Sequence, residues 1–97
     1  MLGYLRAPGV LIEPLGDGWA VYSSLSGETH LVNGESVEVL NRLDETEPRS
    51  AAQVCELLAA EYEADACELQ ATLAASWQPL VEDGLVRRAL RPPAQAA

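Results

Sequence analysis

An α+β domain, in which a three-stranded antiparallel β-meander precedes three α-helices, is what the sequence predicts, and three observations predict it. Up to Val32 the side chains follow strand logic, with Trp19, Val21 and Ser23 alternating against Ala20 and Tyr22. From Asn33 onward the apolar spacing changes to the helical period, starting with Val37, Leu40 and Leu43. Two later stretches, Ser50-Ala51-Ala52-Gln53 and Asp65-Ala66-Cys67-Glu68, carry helix-start signatures.

Met1 to Pro8 contains Leu2, Tyr4 and Leu5 but runs into Pro8-Gly9, so the expectation is an irregular arm packed on the domain. Val10-Leu11-Ile12-Glu13-Pro14 is a short apolar run closed by proline, which suits an edge strand where the missing N–H does no harm. Gly16-Asp17-Gly18 turns the chain into a second strand, Trp19 to Ser23. Ser26-Gly27 is a further turn signal, and Thr29-His30-Leu31-Val32 has the β-branched and apolar content of a half-buried third strand. The Asn33 side chain is placed to accept a backbone N–H from the turn that follows, so the first helix covers 34–43.

The polar segment Asp44 to Arg49 is a loop by composition. The Ser50 hydroxyl and the Gln53 amide can each satisfy an orphan N–H, which starts a second helix that runs to Tyr62 with Val54, Leu57, Leu58 and Tyr62 as its apolar stripe. Asp65 and Glu68 repeat the pattern at the positive end of a third helix. There Ala66, Leu69, Leu73, Ser76, Trp77 and Leu80 share an inward arc, opposite Ala71, Ala74, Ala75 and Gln78. Pro79 removes one intrahelical hydrogen bond and should kink that helix or restart it as a final turn, which ends with Gly84 at C′. Leu85 to Arg88 suits a short terminal strand, and the proline-rich end has no apolar pattern. The expectation is thus one domain over residues 1–97, with its core at about 10–88 and 89–97 as a disordered tail.

Composition excludes several functions. With six Arg, no Lys and fifteen acidic residues the formal charge is −9, which repels phosphate backbones and anionic membrane surfaces. No apolar run approaches membrane-spanning length and no signal-peptide pattern opens the chain, so a soluble cytoplasmic protein is expected. Cys55 and Cys67 fit that compartment as reduced thiols. With His30 as the only histidine, nothing has metal-ligand spacing, and no cofactor is expected. Ser23, Ser24 and Ser26 lack a nucleophile-elbow context, and Gly16-Asp17-Gly18 opens no helix that could cradle phosphate. A lone strand histidine is more often a packing or surface residue than a catalyst. No enzymatic activity is expected.

The element order is winged helix-turn-helix-like, here with the sheet ahead of the helices. The run Ser26-Gly27-Glu28-Thr29-His30-Leu31-Val32-Asn33, together with Ser36 to Leu43, Leu57-Leu58 and the closing Gly84-Leu85-Val86, resembles the PqqD-like family of peptide chaperones and precursor-peptide recognition elements. A Trp-bearing second strand and the Ser-Gly-x-Thr-His run are similar to the subgroup that accompanies HPr-kinase-related proteins. The resemblance implies a non-catalytic domain that takes an extended precursor peptide as an added strand, presenting it to a modifying enzyme or acting beside an HPr-kinase-related protein. It implies contact residues Thr29, His30, Leu31 and Val32 on the third strand and Leu69, Thr72, Leu73 and Ser76 on the third helix. A homodimer stays open. The unpaired backbone of a short meander suits such β-augmentation, on the edge formed either by Thr29 to Val32 or by Val10 to Pro14. The competing readings are a winged-helix DNA-binding regulator and a protein-protein adaptor. A DNA reader needs a basic recognition helix, whereas Ala66 to Asp83 holds Glu68, Glu82 and Asp83 and no Lys or Arg.

Overall fold

A computed structural model describes residues 2–90. Five strands and four helices follow one another as β1 (Leu2–Arg6), β2 (Val10–Leu15), β3 (Gly18–Ser23), β4 (Thr29–Val32), α1 (Gly34–Arg42), α2 (Ala51–Tyr62), α3 (Ala66–Leu73), α4 (Trp77–Glu82) and β5 (Val86–Leu90), with a 3₁₀ turn at Ala74–Ser76. β2, β3 and β4 form the expected antiparallel meander, in that spatial order. The α+β, winged-helix-like arrangement is therefore as the sequence predicts.

The N-terminal arm is corrected to a strand. β1 pairs antiparallel with β5, from Leu2 opposite Leu90 to Arg6 opposite Val86. Tyr4 also exchanges backbone hydrogen bonds with Arg49 in the loop before α2, at 2.7 and 3.1 Å. Gly3 lies so close to that loop that a Cβ would stand 2.8 Å from the Pro48 Cβ. The tail is corrected at its start, because Ala89 and Leu90 belong to β5. The remainder of that expectation, residues 91–97, lies outside the described residues.

The starts of α1 and α2 are built as their sequences specify, and at α3 the Asp65 carboxylate caps by accepting the Cys67 N–H at 2.7 Å. The Asn33 carboxamide oxygen accepts the Ser36 N–H at 2.9 Å. At α2 the Ser50 hydroxyl accepts the Gln53 N–H at 3.1 Å while the Gln53 side chain accepts the Ser50 N–H at 2.9 Å, a closed capping box. The apolar stripe of α2 is corrected: Val54, Cys55 and Leu58 are buried, whereas Leu57 and Tyr62 are exposed. At 100° per residue Cys55 and Leu57 flank the Val54–Leu58 line on opposite sides, and the neighbouring elements cover the Cys55 side. The Tyr62 ring instead lies under the Arg42 guanidinium, 6.0 Å from its centroid.

The third helix breaks one turn earlier than Pro79. Continued as one α-helix, it would set the proline ring against the Ala75 carbonyl. The 3₁₀ turn at Ala74–Ser76 takes up that conflict, and α4 restarts at Trp77, so Pro79 falls in a first turn whose N–H groups are unpaired anyway. α4 ends as expected. Gly84 has φ +76°, and the Gly84 and Leu85 N–H groups donate to the Val81 and Leu80 carbonyls, both at 3.0 Å.

A single cluster joins these layers: Val21 of β3, Val39, Leu40 and Leu43 from α1 and its end, Val54 and Leu58 of α2, Leu73 of α3, Trp77 and Leu80 of α4, and Leu85 and Val86 leading into β5. Trp77 stacks on Tyr4 with ring centroids 4.3 Å apart. The two-stranded β1–β5 ribbon is thereby tied to the helical layer.

Candidate functional site

The Ser26-Gly27 motif does local work that fixes the edge strand. Gly27 adopts φ +75°, its N–H donates to the Ser23 carbonyl at 2.8 Å, and the Ser26 hydroxyl accepts the Glu28 N–H at 3.2 Å. The chain thus returns along β3 in a register that sets Tyr22 opposite Thr29, Val21 opposite His30, Ala20 opposite Leu31 and Trp19 opposite Val32.

That register determines which backbone groups stay free. The Ser23 N–H donates to the Glu28 carbonyl at 2.9 Å. Hydrogen-bonded and non-hydrogen-bonded pairs alternate in an antiparallel ladder, so His30 and Val32 spend their N–H and C=O on β3. Thr29 and Leu31 point theirs outward, along the edge where the meander ends. The same phase on the other side of β3 turns the nitrogen of Pro14 away from the sheet, so the β2 edge lacks one donor.

Beside β4 lies a groove of about 260 Å³. Leu31, Val32 and Asn33 line it from the strand and its end, Glu35 and Ser36 from the first turn of α1, and Ala75, Ser76, Pro79, Leu80 and Asp83 from the 3₁₀ turn and α4. Its base is anchored in the core, because Leu80 and Ser76 are buried and Val32 packs on the central cluster. At one end the His30 Nδ1 stands 3.7 Å from the Asp83 carboxylate. An open β-edge and a helical wall thus border the same groove.

The expected contact residues do not all meet there. Leu31, Val32 and Ser76 line the groove and His30 sits at its rim, with Ser76 buried, as its place on the inward arc requires. Thr29 and Leu31 share the outer face of the sheet, opposite His30 and Val32. Thr29 borders a hollow there of about 300 Å³ with Leu11, Glu13, Ala20 and Tyr22, while Leu31 also reaches the groove at the strand edge. Leu69, Thr72 and Leu73 border a separate apolar hollow of about 120 Å³ with Glu35, Glu38, Leu58 and Tyr62. Leu73 is a core residue, and the Thr72 hydroxyl donates to the Glu68 carbonyl at 2.9 Å. The rewinding at Ala74–Ser76 puts α3 and α4 against different neighbours, so one continuous wall becomes two. Ala75, Pro79, Leu80 and Asp83 are the groove residues that the uninterrupted helix concealed, and Pro79 was their signal. Glu35 and Ser36 follow from the Asn33 cap, which brings the start of α1 to the end of β4.

Among the described residues, no group of three or more His, Cys, Asp or Glu is placed to hold a metal ion. No helix among them is long and apolar enough to cross a membrane. Cys55 is buried and burial raises its thiol pKa, which works against nucleophilic use.

The family model described as "Coenzyme PQQ synthesis protein D (PqqD)" matches residues 18–86, from β3 through the start of β5. No curated protein matches the chain in sequence. Among solved structures it is similar to the PqqD truncation of Methylobacterium extorquens PqqCD, described as a functional and stand-alone RiPP recognition element, where RiPP denotes a ribosomally synthesized and post-translationally modified product. The TM-score is 0.63 at 16% identity, covering 88% of each chain. TbiB1 in complex with the TbiA(β) leader peptide gives 0.59 at 14% identity, over 86% of this chain and 94% of that one. Lasso peptide synthetase B1 complexed with its leader peptide gives 0.57 at 24% identity, over 88% and 98%. At these identities the likeness is one of fold.

Proposed function

The chain belongs to the PqqD family, and from that premise we propose that it is a non-catalytic recognition element that holds a precursor peptide as an added strand and presents it to a modifying enzyme. The observation that carries the reading is the unpaired outer edge of β4 beside a groove that Leu31 and Val32 line from the strand and Ala75, Pro79, Leu80 and Asp83 from the helical side. Backbone pairing supplies affinity in such a mode and the wall supplies choice of side chains. Two of the structurally similar proteins, TbiB1 and lasso peptide synthetase B1, are described in complex with leader peptides, which supports the same use of this fold. On this reading Leu31, Val32, Ala75 and Pro79 touch the peptide, His30 and Asp83 border it, and Thr29 contributes backbone only. Leu69, Thr72 and Leu73 act indirectly, by supporting α3. The partner enzyme is the peptide's own modifying enzyme or an HPr-kinase-related protein, and the setting is the cytoplasm.

A protein-protein adaptor role is favoured by a separate observation, the exposed Leu11, Leu15, Tyr22 and Leu31 on or beside the outer face of the meander. The two readings are compatible, since a recognition element must also meet its enzyme. Calorimetric titration with the peptides encoded beside the gene tests the peptide reading. Saturable binding by one of them is expected. Binding to a co-encoded enzyme but to none of the peptides would leave the adaptor role alone.

A further inference from the structure

The groove beside β4 is acidic as well as apolar. It is lined by Leu31 at the strand edge, by Val32, Ala75, Pro79 and Leu80, and by two acidic residues, Glu35 and Asp83, and among the described residues no Arg lines it. We propose, resting on the reading that this groove receives an extended peptide, that its client is an apolar segment carrying Lys or Arg on the side facing α4 and the start of α1, and that acidic segments are rejected.

Of the described arginines none lines the groove: Arg87 lies on β5, and four others make bonds elsewhere. Arg6 reaches the Leu40 carbonyl and Glu45, Arg42 pairs with Glu38 and Glu61, and Arg49 donates to the Arg42 carbonyl. Arg88, which does reach α4, donates to the Gln78 side chain at 2.7 Å. Glu35 makes no ion pair among the described residues. Among the described residues Asp83 pairs only with His30, at 3.7 Å, beyond hydrogen-bond length, so its oxygens keep capacity to accept. The chain's formal charge of −9 adds to the local field rather than opposing it. Glu35 also complements the α1 dipole, but that role leaves its charge in place for a ligand.

The positions of the two carboxylates suggest a spacing. Asp83 stands beside His30 and Glu35 follows the far end of β4. Alternate residues of an extended segment share one face, so cations an even number of positions apart on the added strand can both face the two acids. Like charges facing each other cost affinity and thereby exclude wrong partners, whereas opposite charges at a partly exposed rim add modestly to it.

The test uses the full chain and three synthetic extended peptides of about twelve residues. They are identical alternating apolar and polar sequences, except that two positions an even number of residues apart carry Lys, Gln or Glu. Binding is measured by calorimetry and located by amide shifts. The Lys peptide should bind about five- to tenfold more tightly than the Gln peptide, with shifts at Leu31, Val32 and Ala75, and the Glu peptide should bind most weakly. Glu35→Gln with Asp83→Asn should abolish the Lys preference, whereas Asp17→Asn with Glu56→Gln, away from the groove, should leave it intact. Equal binding of all three peptides in the groove overturns the charge preference while the peptide reading stands. Equal loss in both double variants shows attraction by net charge alone and overturns it as well. No binding by any peptide overturns the groove reading and the preference together.

Discussion

Trp77 shows how a single side chain holds two layers. It is about nine-tenths buried and stacks on Tyr4, so Trp77→Ala should cost about 3–5 kcal/mol, as truncation of large core aromatics does. Urea denaturation measures it, and a loss under about 1 kcal/mol would contradict this packing. The Trp77 position is legible in the sequence, since Leu69, Leu73 and Leu80 share its arc, but its partner is not. Tyr4 lies in a segment with no alternation of its own, and a contact across more than seventy residues leaves no local trace. At the groove, proline substitutions separate two roles for neighbouring N–H groups. Leu31→Pro should leave the fold near native stability and abolish peptide binding, because that N–H points outward. His30→Pro removes a bond to β3 and should instead lower stability. Thermal melts with peptide titrations check both, and the opposite assignment would mean that the ladder runs in the other phase.

Elements with strong local signals are the ones the sequence predicts closely. The α2 capping box, the Asn33 cap and the Gly84 stop fall where their residue types require, because each is satisfied within a few residues. Ser50→Ala should therefore cost about 1 kcal/mol in the same denaturation assay. β1 is the converse case. Its stability comes from β5, Pro48 and Arg49, so Leu2 to Arg6 looks irregular until the chain closes on itself. The break at Ala74–Ser76 is intermediate: Pro79 announces an interruption, but whether the helix bends at the proline or restarts ahead of it depends on packing. The loop between α1 and α2 has its own organiser. The Asp44 carboxylate accepts from the Thr46 hydroxyl and from the Thr46 and Glu47 N–H groups, and these bonds, led by the hydroxyl, lower its pKa from 3.8 to about 2. A depressed folded-state value stabilises above the unfolded pKa and is lost as pH falls from about 4 through about 2. Asp44→Ala should thus be less stable than the parent at neutral pH, with the gap closing over that window. A gap that is constant with pH would assign the loss to the loop backbone instead.

At the scale of the whole molecule, the net charge and the acid-only α3–α4 segment argue against a nucleic-acid role for this winged-helix-like fold. In mobility-shift assays at low salt no specific duplex DNA complex is expected at micromolar protein, and a salt-sensitive shift would contradict this. The central claim is that the open β4 edge and the α4 wall together receive an extended peptide. The most direct measurement is nuclear magnetic resonance of isotope-labelled protein titrated with the peptides encoded beside its gene. It follows amide shifts and cross-strand contacts between peptide and protein backbones. The account predicts shifts concentrated at Thr29, Leu31, Ala75 and Asp83, with peptide backbone protons close to those of Thr29 and Leu31. Shifts confined to α2 or the β1–β5 ribbon, with β4 and α4 silent, would contradict it.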